Sequence, residues 1–157
     1  MGCATGCSSS VKNVDKFIGI WTFSNGMFDA ACPAPIGTIS NQLAGDMMTL
    51  TKGTSSDLTS TLHTSYGDCT LQLSVDGTTA NATPNQTCML NVSVAGMAVP
   101  TTLTVTSWQL TTGSSGGVDT LTTSAMGAAT AIGQSCPVTV SGSATRSGGD
   151  PADASAG

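Results

Sequence analysis

Glutamate is missing from this 157-residue chain, and charge of either sign is scarce: Lys and Arg total 4, and all nine acids are Asp. Charged residues make up 8% of the sequence, against about 25% in an average soluble domain. A helical bundle or coiled coil needs Glu, Lys, Leu and Ala in quantity and is excluded. Nucleic acid is excluded as a partner, because four cations in a chain of net charge −5 cannot neutralise a phosphate track. No run of about 18 apolar residues occurs, so no helix is expected to span a membrane. No charged and then apolar leader precedes Cys3, so a processed, exported form is expected. C-x-x-C pairs are also missing, although six Cys are present at 3, 7, 32, 69, 88 and 136. An even number without metal-ligand spacing suits disulfides in an oxidising compartment. With His63 as the one histidine, a zinc site has too few ligands, and no metal or cofactor is expected.

Thr (26), Ser (20) and Gly (19) dominate instead, and they favour strands and turns over helices. The chain is 39% hydrophobic, too apolar for disorder throughout. Residues 1–13 read as a flexible leader and 147–157 as a disordered tail, leaving 14–146 as one β domain. Within it the apolar residues alternate. Phe17, Gly19, Trp21 and Phe23 share one face. Met48 with Leu50, and Leu58 with Leu62, follow. Leu71, Leu73 and Val75 end at Asp76-Gly77, a hairpin signal. Leu90, Val92 and Val94 come next, then Leu103 and Val105. Trp108 and Leu110 fall on the opposite parity, so a bulge is expected near Ser107. Strands over 118–124 and 138–145 end the domain. The expectation is an all-β, antiparallel, eight- or nine-stranded up-and-down barrel, with a β-sandwich as the alternative. Closure favours the barrel, because a sheet with so little charge cannot protect its edges otherwise. Gly127, Ala128, Ala129 and Ala131 would let the wall bend, although 125–133 also reads as a short helix.

The segment Phe17-Ile18-Gly19-Ile20-Trp21 resembles the opening G-x-W motif of lipocalins and related calycin barrels. The resemblance implies that Trp21 plugs one end of the barrel. It also implies that an Arg from the last strand packs across the indole, and Arg146 is the one arginine. The family's middle Thr-Asp-Tyr motif has no counterpart at Tyr66. What the family implies for function is a small apolar ligand held in the barrel, with Phe23, Met48, Leu50, Leu73, Val92 and Val105 as walls.

Gly2-Cys3 and Gly6-Cys7 resemble the end of a bacterial lipobox, and the serines at 8–10 resemble a lipoprotein tether. Cys3, or else Cys7, is then the lipidated residue, and the membrane is reached through that anchor. The other four Cys allow three connectivities. Cys69–Cys88 would tie the hairpin that turns at Asp76-Gly77, with residues 84–86 looped out. Cys32–Cys136 would pin the end of the first strand to the last.

Catalysis is the weakest reading. No G-x-S-x-G occurs, His63 is expected to face solvent near Asp57 and Asp68, and nothing marks a carboxylate pair such as Asp68 and Asp76. Met27, Met47 and Met48 with His63 form a soft-metal set on paper, but Met more often walls a core. The expected protein is therefore a secreted or membrane-anchored lipoprotein domain, in the outer membrane, periplasm or cell surface, that binds a small apolar ligand or lipid. The alternative is an envelope module that binds a protein partner and no ligand.

Overall fold

The computed structural model describes residues 13–34, 36–94 and 96–148. A single 3₁₀ turn, Val14–Lys16, leads into ten strands: β1 Gly19–Ala31, β2 Thr38–Gln42, β3 Met47–Lys52, β4 Leu58–Thr64, β5 Gly67–Asp76, β6 Thr79–Ala82, β7 Gln86–Val94, β8 Met97–Ser115, β9 Val118–Ala131 and β10 Gln134–Gly148. All ladders are antiparallel, and β10 pairs back onto β1 to close a ring. The ten strands make eight staves. β3 and β2 pair with the two halves of β1 in one register, interrupted at residues 43–46. β6 and β7 both pair with β8, interrupted at residues 83–85. Every stave neighbours the next in the chain, which makes an up-and-down barrel. Closure through β1 and β10 distinguishes it from an open sandwich. Residues 125–131 are strand, not helix: small residues fit β9 where it crosses close to β8. Among the described residues no helix is long and apolar enough to cross a membrane.

The alternating residues face inward. Trp21, Met48, Leu50, Leu58, Leu73, Leu110 and Leu121 are fully buried. The outward positions carry the Thr and Ser, whose β-branched or small polar side chains suit a pleated surface without charge. The parity change in β8 is a bulge at Thr106, between Val105 and Ser107. It returns Trp108 and Leu110 to the face that Leu103 and Val105 occupy. Gly127 lies opposite that bulge. A Cβ there would run into the carbonyl oxygen of Thr104, so only glycine lets the strands approach so closely. A second bulge, at Ser24, lies between Phe23 and Asn25 of β1 and carries the buried face from Phe23 to Phe28.

No ladder pairs β5 with β7 among the described residues. The Gln86 side chain substitutes for the missing peptide pairing. Its Oε1 accepts from the Gln72 N–H at 2.8 Å, and its Nε2 donates to the Gln72 carbonyl at 2.8 Å and to the Thr83 carbonyl at 2.9 Å. Gln86 thus starts β7 and is not looped out; the interruption is one residue earlier, where Asn85 takes φ 67°. Cys69–Cys88 crosses the same seam, with the Asn91 N–H on the Tyr66 carbonyl beyond it. Cys32–Cys136 joins the end of β1 to the start of β10. Two disulfides point to an oxidising, extracytoplasmic compartment.

Both boundaries of the domain shift slightly. Asn13 belongs to the barrel, its Nδ2 donating to the Gly77 carbonyl at 3.3 Å. Ser147 and Gly148 continue β10, and Thr22 donates its hydroxyl to that of Ser147. Cys3 and Cys7 lie outside the described residues.

Candidate functional site

Most of the charge is gathered at one end of the barrel. The 3₁₀ turn and the β3–β4, β5–β6 and β8–β9 connections share one end. Asp15, Lys16, Lys52, Asp57, Asp76, Asp119 and Arg146 all lie there. The β1–β2, β4–β5, β7–β8 and β9–β10 connections share the other end. Residues 31–34, 36–39, 64–67, 96–101 and 129–136, in those connections, contain no Asp, Glu, Lys, Arg or His, although His63 and Asp68 flank the β4–β5 turn on the outer wall.

At the charged end Trp21 is fully buried and donates its indole N–H to the Phe17 carbonyl at 2.8 Å. The Arg146 guanidinium lies 4.5 Å from the centre of the Trp21 ring. It also donates to the carbonyls of Ile18 and Lys16 and to Asp119 Oδ2 at 2.9 Å. Gly19 makes room for it: at φ +148°, a Cβ would meet that guanidinium and the Gly148 carbonyl. The assembly ties the 3₁₀ turn and β1 to β10. A half-polar hollow of ≈ 610 Å³ counted out to its mouth, with ≈ 270 Å³ of it open to water-sized molecules, lies beside it and is lined by Lys16, Thr78, Thr112, Ser114, Asp119 and Arg146. Each of the three Arg146 nitrogens already donates within the fold, so this end reads as a built closure.

At the uncharged end an apolar cleft opens. It is lined by Phe28, Ile36, Ile39, Leu90, Val92 and Val99, among others, with the Cys32–Cys136 bridge in its wall. Thr101 is the one polar side chain lining it, and its hydroxyl donates to the Val99 carbonyl at 3.0 Å. The cleft measures ≈ 470 Å³ counted out into its open mouth, but only ≈ 20 Å³ of it is open to a water-sized molecule, room for about one water. Exposed Met97 and Ile132 stand on the connections at this end. A second void of ≈ 20 Å³ lies deeper, bounded by Leu43, Leu62, Tyr66 and Trp108, and it shares Phe28, Leu90 and Leu103 with the cleft. The Trp108 indole N–H is buried without a partner.

Of the six wall residues expected from sequence, Val92 lines the cleft. Val105 borders a void of ≈ 10 Å³. Phe23, Met48, Leu50 and Leu73 are buried core and line none of these spaces. The barrel is filled by its own side chains, as an eight-stave barrel can be. Sequence reasoning missed Ile36 and Ile39: Ile36 sits in the Pro- and Gly-containing β1–β2 connection, and Ile39 in β2, a five-residue strand that the alternation did not mark. It could have noticed that this connection carries no charge.

On the outer wall, β3, β4 and β5 bring Thr49, His63 and Asp68 together. His63 Nδ1 lies 3.0 Å from Asp68 Oδ1, and Nε2 lies 3.1 Å from Thr49 Oγ1. The order hydroxyl, imidazole, carboxylate is that of a hydrolase relay. These three line none of the cavities described, and a barrel wall offers no concave site to hold a substrate. Asp57 is elsewhere, its Oδ2 accepting from the Val75 N–H at 2.8 Å. Asp68 and Asp76 sit at opposite ends of β5, about 26 Å apart along the strand, too far for paired carboxylate chemistry. Among the described residues no three His, Cys, Asp or Glu side chains converge on a metal-sized site.

No protein-family model, no curated protein and no solved structure matches this chain.

Proposed function

We propose that this protein is a cell-envelope lipoprotein whose barrel binds a small apolar group at its uncharged end. The observation that carries the reading is the cleft itself: it is apolar, its one hydroxyl is satisfied within the chain, and no charged residue borders it. Burying apolar surface contributes about 25 cal/mol per Å². A short alkyl chain or a single ring laid between Ile36, Ile39 and Val99 gains affinity without leaving a polar group unpaired. The filled core limits the ligand to the mouth. A whole lipid threaded through the barrel would have to displace Phe28, Leu90 and Leu103.

The closure at Gly19, Trp21 and Arg146 supports a lipocalin- or calycin-like reading of the architecture. The lipid anchor is assigned to Cys3, with Cys7 second. Intact mass of the N-terminal peptide from the native host tests the anchor, and two unmodified cysteines would overturn it. For the cleft, the test is a titration with straight-chain fatty acids of graded length, followed by the methyl NMR signals of Ile36, Ile39, Val92 and Val99. Saturable shifts confined to those methyls, abolished in Ile39→Trp, are expected. No shift up to the solubility limit of any chain length would sink the ligand reading. The second reading, an interaction module without ligand, is favoured by Met97 at 70% and Ile132 at 68% exposure beside a filled core.

A further inference from the structure

The register singles out one methionine. Met47 on β3 is the direct cross-strand partner of His63 on β4, and His63 is the direct partner of Asp68 on β5. Partners in adjacent strands share a face, with Cβ atoms about 5 Å apart. Met48, Leu62 and Cys69 are buried, so the row Met47, His63, Asp68 points outward. Met47 is 46% exposed and the His63 side chain 39%. Of the other two methionines in the sequence-derived set, Met48 is in the core and Met27 pairs with Gln42 and Ser141, outside this row.

The hydrogen bonds fix which nitrogen is available. An ionised Asp68 only accepts, so Nδ1 carries the proton and donates to it. Nε2 then holds the lone pair, directed at β3, where it accepts from the Thr49 hydroxyl. Thr49 and Met47 are two residues apart on one strand and so lie on the same face. Metal-binding imidazoles are held in this way, with the second N–H on a carboxylate that fixes the tautomer and raises ligand basicity. Thioether and imidazole together are a soft donor pair, suited to a d¹⁰ monovalent ion such as Cu(I) and poorly suited to Mg²⁺ or Ca²⁺.

We propose that Met47 Sδ and His63 Nε2 form a surface site for a soft monovalent metal ion of the Cu(I) type, with Asp68 as the positioning residue. The Thr49 hydroxyl is the protein group that yields Nε2 when the ion binds. The site stands apart from the cleft and survives or fails independently of it.

Ag(I), a redox-inert soft ion, is the first probe, added to untagged protein and followed by the Met methyl and His ring NMR signals. Cu(I) under anaerobic competition with a chromophoric chelator is the second. One equivalent is expected to move the Met47 methyl and His63 ring together. Met47→Leu and His63→Gln should each weaken binding at least tenfold while leaving the melting temperature unchanged. Asp68→Asn should weaken it about tenfold. Met89, Met97 and Met126 are exposed without an imidazole opposite them. If the ion moves their methyls equally, or if Met47→Leu binds as well as the parent, the site does not exist. Zn²⁺ binding as tight as Cu(I) and indifferent to Met47→Leu would also overturn the proposal.

Discussion

Replacing Gln86 should open the barrel wall where β5 and β7 lack a ladder. The amide makes three hydrogen bonds, two to Gln72 in place of a ladder peptide and one to the Thr83 carbonyl within its own stave. Each is worth about 1 kcal/mol net, and leaving the half-buried Gln72 N–H without a partner adds about 1–2 kcal/mol. Freeing the ordered side chain returns about 1.5 kcal/mol of entropy. Gln86→Leu should therefore cost about 2.5–3.5 kcal/mol, a fall in Tm on the order of 5–14 °C for a domain of this size. Gln86→Glu separates the acceptor from the donor. Its carboxylate still accepts from the Gln72 N–H but faces the Gln72 and Thr83 carbonyls with nothing to donate. Ionisation is thus disfavoured in the folded state, and the folded pKa lies above the unfolded value of about 4.3. The stability of this variant relative to the parent should fall as pH rises through that value. It should be worse than Gln86→Leu at pH 7 and partly restored near pH 3.5. Thermal melts at both pH values, with hydrogen exchange at the Gln72 amide, test this. If Gln86→Leu melts within 1 °C of the parent and that amide stays equally protected, then Cys69–Cys88 and the β6 ladder close the wall alone.

Other perturbations have defined outcomes. Gly19→Ala puts a methyl group against the Arg146 guanidinium at a φ that disfavours any side chain; it should cost about 1–3 kcal/mol and change the near-UV signal of Trp21. Arg146→Met should cost at least as much by chemical denaturation, because the carbonyls of Lys16 and Ile18 lose their donor; Arg146→Lys should not restore it, since an ammonium lacks the planar fork. Removing Cys32–Cys136, which spans 104 residues, should cost about 5 kcal/mol by loop entropy, against about 3 kcal/mol for Cys69–Cys88, which spans 19; equal denaturation midpoints for the two Cys→Ala pairs would refute that ordering. Burial holds the Asp46 carboxyl above its usual 3.8, and its Oδ2 has no partner. The folded state prefers the neutral acid, so stability is lost as pH rises through that range. Asp46→Asn should therefore raise Tm at pH 7 and have no such effect below about pH 3.

The parts of the fold that were legible in sequence are those with a local signature. Alternation exposes the inward face wherever no residue is inserted, and the parity slip before Trp108 betrayed the bulge that the structure places at Thr106. The bulge at Ser24 left no such mark, because Asn25, Gly26 and Met27 fit either face. The interruption before Gln86 was visible as surplus residues between Cys69 and Cys88. Its exact position was not, because a glutamine side chain standing in for a peptide has no sequence signature. The same limit explains the site. Phe23, Met48, Leu50 and Leu73 carry the inward alternation as clearly as any cleft residue. Whether an inward residue borders space or another side chain depends on how eight staves taper, which no single strand encodes. The segregation of charge was there to be read, since four charge-free segments recur at alternate connections, but it becomes a surface only once the staves are ordered.

The two parts of the proposed function constrain each other. Asn13 enters the barrel at the charged end, and the cleft is at the opposite end of β10, a strand of 15 residues. At about 3.3 Å per residue and a tilt near 40°, the two ends are about 40 Å apart. Ten residues separate Cys3 from Asn13 and span at most about 35 Å when extended. If Cys3 carried the proposed lipid, the tether would reach the bilayer from the charged end, and in an upright barrel the cleft would face away from it. The cleft then cannot draw its ligand from the lipids of the anchoring leaflet while the barrel stands upright. Under the proposed function a ligand would then arrive from the aqueous side, free or presented by another molecule. This favours short chains or single rings, which dissolve, over whole lipids, which do not. Delipidated protein and anchored protein should then bind a water-soluble fatty acid equally well. A cleft that fills only when the anchor is embedded in vesicles would show that the barrel lies on its side, and this orientation would be wrong.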